Sequence, residues 1–238
     1  MKNTWTKEAI LLGGLLCLGL ISIGYLIGSS MIEFRSLERS VTVKGLSERE
    51  VPADTVIWPI KFISAENDVN LLYKHIEEKA GLVVKYLYDQ GFDSKEISIN
   101  TPYINDKQAN SYSNAAVTYR YFANQTVTVY SHNIEKVRSA MNKITELGKS
   151  GVLVTGDEYS ERAEYLFTKL NDIKPEMIEE ATRKSREVAQ KFAKDSDSRL
   201  GKIKKARQGQ FSIENRDNNT PYIKKVRVVT SVEYYLSD

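Results

Sequence analysis

Apolar and polar positions recur with three different periods along this 238-residue chain. Residues 9–28 (AILLGGLLCLGLISIGYLIG) are one uncharged run, close to the ~20 residues an α-helix needs to cross a hydrocarbon core. Residues 40–46 alternate, with Val41 and Val43 on one face. Residues 55–64 alternate again, with Val56, Trp58, Ile60 and Phe62 on one side, the period of half-buried strands. Pro52 breaks the segment between them, and a β-hairpin is the simplest expectation. From Asp68 the period lengthens: Val69, Leu72, Ile76, Ala80, Val83 and Leu87 make one buried helical stripe. Asp68 suits the N-cap and Gly91 the C′ position.

Residues 97–104 read as a strand whose end Pro102 confines to an edge or bulge. Residues 105–116 are a polar loop of Asn, Asp, Gln and Ser, long for a hairpin connection. Residues 117–131 give the longest strand signal, with Tyr119, Tyr121, Ala123, Val127 and Val129 on one face. Asn133 caps a second helix with stripe Ile134, Val137, Met141, Ile144 and Leu147, ended by Gly148. Residues 152–155 and 164–170 return to strand. The order β, α, β, β, α, β is the split βαβ of a ferredoxin-like layer. The predicted fold class is therefore α+β: an N-terminal transmembrane helix, a ferredoxin-like βαββαβ layer, a third helix and a C-terminal β-hairpin. The third helix begins at Pro175 with stripe Ile178, Ala181, Ser185, Val188, Ala189 and Phe192, whose small residues imply close approach to whatever it packs on. Residues 202–213 and 223–236 are the final strands.

The apolar run exceeds the ~7–15 residues of a signal-peptide core, which favours a retained anchor. Cleavage before Met31, with Gly28 and Ser30 as the small residues, is the alternative. Lys2 and Lys7 precede the run and Arg35, Arg39 and Lys44 follow it, so basic residues do not decide orientation. A short tail before the run and a large domain after it fit a signal anchor with the amino terminus inside. That gives a cytoplasmic tail at 1–8, an anchor at 9–31 and one soluble domain at 32–238. Cys17, the single cysteine, lies in the run, which leaves the soluble domain without disulfides or Cys-ligated metal. Gly24 and Gly28 form a G-x-x-x-G, a spacing that lets two helices approach closely in lipid.

Of 34 basic and 31 acidic residues, only Lys2, Lys7 and Glu8 precede residue 32, so the soluble part is nearly balanced. A nucleic-acid binder would need a basic surplus. Residues 183–207 carry the one local bias, ten basic residues against Glu187, Asp195 and Asp197, a solvated face or a contact for anionic lipid headgroups. His75 and His132 lack a second metal ligand at helical or hairpin spacing. Gly151 to Gly156 has phosphate-loop spacing, but Asp157 and Glu158 stand where Lys and Ser or Thr are required. No metal, cofactor or catalytic residue is expected.

Several short segments agree with one known family. Val41-Thr42-Val43-Lys44-Gly45 resembles a V-x-V-x-G element, and Pro52-Ala53-Asp54 a Pro-Asp element behind it. Tyr121 leads into Val127-Thr128-Val129. The run Ala181, Ser185-Arg186, Ala189, Ala193, then Leu200-Gly201-Lys202-Ile203 resembles an alanine-spaced helix and Leu-Gly turn. In this order they resemble the SIMPL-domain family of bacterial envelope proteins over most of residues 40–236. Ser185 stands where Ala is expected and Asp197 where Gly is expected, Ala53 intrudes into the Pro-Asp pair, and residues 157–163 look inserted. The resemblance implies an envelope domain that self-associates into rings, links to stress tolerance, and no agreed catalytic residues. The expected protein is a scaffold, not an enzyme, anchored in the inner membrane with its domain in the periplasm. Membrane lipid and further copies of itself are its partners, in a homo-oligomer larger than a dimer. Gly24, Gly28, Ala181, Ser185 and Ala189 are the expected oligomer contacts. The alternative is a binding module that recognises an envelope protein or polymer through the 105–116 loop, with Tyr112 inside it and Tyr103 and Tyr119 on its flanks.

Overall fold

The computed structural model describes residues 4–36, 39–109, 118–155 and 162–237. Helix α1 (Thr4–Ser36) contains Ile10–Met31, 22 residues long and apolar enough to cross a membrane or serve as a signal sequence. The chain forms two compact units: a terminal one of Met1–Glu48, Ile173–Ser212 and Arg227–Asp238, and a central one of Arg49–Asp172 and Ile213–Val226.

The central unit is built on β2 (Thr55–Glu66), which runs antiparallel to β5 (Tyr121–Ser131) from Val56 opposite Ser131 to Glu66 opposite Tyr121. β3 (Ile97–Ile99) flanks β5 and β6 (Val154–Thr155) flanks β2, giving the order β3-β5-β2-β6. Two short strands, β4 (Tyr103–Asp106) on β5 and β7 (Glu164–Leu166) on β2, complete the sheet. With α2 (Val69–Asp89) after β2, and α3 (Ile134–Asn142) and α4 (Thr145–Lys149) after β5, the chain order is βαββαβ. First and third strands lie at the centre, second and fourth outside, as the alternation predicts. Val56, Trp58, Ile60 and Phe62 of β2 share one core with Leu72, Ile76, Val83 and Leu87 of α2, Val137 and Ala140 of α3, and Leu147 of α4. Burying a side chain of this size stabilises the fold by ~1.5–3 kcal/mol.

A second sheet holds β1 (Ser40–Pro52), β8 (Arg199–Gln208) and β10 (Ile223–Ser237) in the order β1-β10-β8, with β9 (Ser212–Asn215) also on β10; the terminal unit takes β8, β1 up to Glu48, Ser212 and β10 from Arg227, and the rest belongs to the central unit. α5 (Leu170–Asp195) buries Met177, Ala181, Ser185, Ala189 and Ala193, one residue in every four. Val43, Ala189, Val232 and Tyr234 form the core of the terminal unit.

Several expectations are corrected. β1 and β2 are not a hairpin: Ala53 and Asp54 send them into different sheets, and β1 runs on to Pro52 through residues expected as loop. Ala53 N donates to Tyr222 O and Asp54 N to Leu166 O, so the bend is stitched to other elements and not to itself. The second helix breaks at Lys143 and Ile144, whose N–H groups turn to the Ala140 and Met141 carbonyls three residues back. Its true end is Gly151 (φ 83°), not Gly148, with Val152 N to Leu147 O and Gly151 N to Gly148 O closing a Schellman motif. α5 starts at Leu170, so Pro175 lies inside it and residues 167–170 are not strand. Val188 and Phe192 are 37% and 55% exposed, and Met177 and Ala193 take the places expected for them in the stripe.

Candidate functional sites

Along Ile10–Met31 the large apolar side chains are 54–76% exposed, so no described residue covers them. Ser22 and Ser29 donate back to the Leu18 and Leu26 carbonyls, so neither hydroxyl needs a partner outside the helix. Around Gly24 and Gly28 nothing lies within 4 Å of where a Cβ would sit, and the helix is bare on that side.

Ala181, Ser185 and Ala189 are brought together, but inside the chain. All three are 0% exposed. A Cβ on Gly45 would lie 1.8 Å from Ala181 O and 2.7 Å from Ser185 N, so β1 touches the helix backbone at the one place a glycine stands. The Ser185 hydroxyl donates to Thr182 O at 2.7 Å, which satisfies it without a partner outside the helix. The close approach these residues imply is met within the unit, and they have no surface left for a second copy.

Of the loop tyrosines, Tyr112 lies outside the described residues. Tyr103 is 64% exposed and opposite Asn124, while Tyr119 is 43% exposed and precedes β5. The loop base starts two residues later than expected, because Asn105 and Asp106 are in β4. Arg120 clamps it: Nε donates to both Asp106 carboxylate oxygens (3.2 and 3.1 Å) and Nη2 to Oδ2 (2.9 Å). The Arg120 guanidinium, with help from the Ala109 and Gln108 N–H groups, holds the Asp106 carboxyl below its ordinary range. Asn67 bridges the far side, accepting from Arg120 N and donating to Thr118 O.

A further cluster has no expected counterpart beyond the Pro-Ala-Asp element. Burial would raise the Asp54 carboxyl, but donors from Thr168 N, the Thr55 and Thr168 hydroxyls and Lys169 N outweigh it and lower its pKa. His132 Nδ1 lies 3.1 Å from Thr55 Oγ1 and 3.2 Å from Asp54 O. A carbonyl only accepts, so Nδ1 carries the proton. Asp, Thr and His stand together as in a hydrolase, yet Thr55 is 0% exposed and its hydroxyl is given to Asp54; the trio buttresses the entry to β2. Glu96 is similarly held low: burial raises it, and Lys136 Nζ at 2.8 Å, Ser131 Oγ and Asp93 N prevail. His75 pairs with Glu66 at 2.8 Å. No sequence spacing joins Asp54 to Thr168, 114 residues on, which is why only the Pro-Ala-Asp element hinted at it.

No curated protein matches the chain. The SIMPL family, described as a protein of unknown function (DUF541), matches residues 41–233. The match begins at the second residue of β1, ends near the end of β10 and takes in residues of both units. Gly45 against Ala181, where two of the short segments meet, and the Asp54 cluster both fall inside it. The chain belongs to the SIMPL family.

Proposed function

We propose that this protein is a single-pass, membrane-anchored bacterial envelope scaffold, with its amino terminus in the cytoplasm and its folded part in the periplasm. There, copies assemble into a closed homo-oligomer larger than a dimer, in support of stress tolerance. It acts by assembly, not by catalysis. The observation that carries this reading is α1, whose apolar side chains are more than half exposed over 22 residues; lipid, or lipid and sister helices, must cover them. Confining every copy to one membrane raises their effective concentration, and repeated head-to-tail contacts close into a ring or run on as a filament. With Ala181, Ser185 and Ala189 occupied, the bare side at Gly24 and Gly28 is the small-residue contact left to a second copy.

Light scattering on the detergent-solubilised chain tests this. The expected mass exceeds two copies and falls in a Gly24→Leu, Gly28→Leu variant; a monomer would remove the scaffold reading. Mass spectrometry of the mature chain is expected to find the first 30 residues present, and a product beginning at Met31 would overturn the anchor.

A second reading rests on Tyr103 and Tyr119, exposed beside a loop whose base is locked by the Asp106–Arg120 pair. Fixed loop ends with exposed aromatics suit recognition of an envelope protein or polymer. Loss of a co-purifying partner in Tyr103→Ala, Tyr119→Ala, with the oligomer intact, would favour it.

A further inference from the structure

The central unit carries a cleft of about 770 Å³ between α3 and the loop that leads into β10. Arg138, Asn142, Arg162, Tyr165, Asn215 and Tyr222 line it. The Arg138 guanidinium carbon lies over the Tyr222 ring, 3.9 Å from its centroid, and the group gives only Nη1 to Glu135, at 3.0 Å. Its remaining donors are not taken by any described residue. Arg162 and the side chain of Asn142 also have no hydrogen-bond partner among the described residues. Asp217, the nearest acid in the loop, is spent on Arg216, Thr220 and the Asn219 N–H.

A second observation concerns the wall behind the cleft. Lys224 is 8% exposed, and its ammonium donates to Asn215 Oδ1 with no carboxylate in ion-pair distance among the described residues. Burial lowers its pKa, against the pull of Glu164. A buried ammonium held by one neutral carboxamide is costly unless it has further use. Here it fixes the carboxamide: with Oδ1 turned to Lys224, the Asn215 amide NH₂ is the end left for the cleft. The lining thus combines two guanidiniums, which fit a carboxylate bidentately, with carboxamides, which both donate and accept. A hydroxyl also does both, whereas phosphate oxygens mainly accept.

We propose that this cleft binds an acidic sugar, with Arg162 and Arg138 on its carboxylate and the carboxamides of Asn142 and Asn215 on its ring hydroxyls. The site is independent of the assembly reading and of the 105–116 loop.

Calorimetric titration of the detergent-solubilised chain with D-glucuronate, D-glucose and inorganic phosphate tests it. Saturable glucuronate binding is expected, at least about tenfold tighter than glucose, and weakened about tenfold or more by Arg162→Gln. Asn142→Ala, a milder change with its Tm measured alongside, is expected to weaken glucuronate severalfold and leave phosphate unaffected. The proposal is overturned if glucuronate gives no saturable heat, if neither variant changes its affinity, or if phosphate binds as tightly as glucuronate, which would make this a simple anion site.

Discussion

Gly45 is the tightest position in the terminal unit, because a Cβ there would overlap the backbone of α5 and not the movable tip of a side chain. Gly45→Ala is therefore expected to cost about 3 kcal/mol or more, read as a lowered urea midpoint. Asp197 shows the opposite case. It stands at φ 49°, in the C′ position of α5, with Ser198 N bonded to Ala193 O and Asp197 N to Lys194 O. The left-handed conformation strains an L residue and suits Gly. Asp197→Gly is expected to gain about 0.5–1 kcal/mol, a rise of roughly 1–4 °C in Tm for a chain of this size. Asp54 gives a pH signature. Its folded pKa is depressed, so its contribution is complete above the unfolded carboxylate value of 3.8 and disappears as pH falls through the lower folded value. An Asp54→Asn variant should be less stable than the parent at pH 7 by urea denaturation, with the gap narrowing at pH 3. At this scale Asp68 and Asn133 were legible as caps, and both accept the expected backbone N–H groups. Asp54 was not, because apart from the Thr55 hydroxyl its donors come from Thr168 and Lys169, distant in sequence, and local spacing carries no sign of them.

Among elements, α5 shows what a helical stripe can and cannot reveal. Its small residues announced a close contact, and the contact exists. The partner was not in the pattern, because Gly45 lies 136 positions before Ala181 and either a strand or a second copy would satisfy the same stripe. Val188 and Phe192 misled for a related reason: a contact this close buries one residue in four, narrower than the usual apolar face. β2 and most of α2 and β5 were legible, since each has one buried face and a regular period; the misses are at the ends, where Val69 is 38% exposed and β5 begins at Tyr121, two residues after the exposed Tyr119. β1 was assigned to the wrong neighbour, because adjacency in sequence favours a hairpin and the stitching of Ala53 and Asp54 to Tyr222 and Leu166 is not local. β8 is an outer strand of its sheet and carries Lys202, Lys204, Lys205 and Arg207, all exposed. This edge of the sheet is thus guarded by charge, a known defence against edge-to-edge association. A Lys202→Thr, Lys205→Thr variant is expected to gain concentration-dependent aggregation in light scattering, whereas Lys204, bridged to Glu233 at 3.1 Å, is better left in place.

For the molecule as a whole, the arrangement of the chain sets the order in which it can be built. The central unit draws mainly on one continuous stretch, Arg49–Asp172, while the terminal unit draws its pieces from both sides of it. β1 leaves the ribosome early, but β10, which it pairs with, and α5, which its glycine touches, come more than a hundred residues later. Contacts so far apart in sequence are slow to form, and until they do β1 is an unpaired strand that follows a long apolar helix. A nascent chain of this kind has reason to need a holding factor, and one stalled before β10 would present β1 to any passing protease. The backbone contact at Gly45 can close as soon as α5 has arrived, whereas the pairing of β1 waits for the last strand.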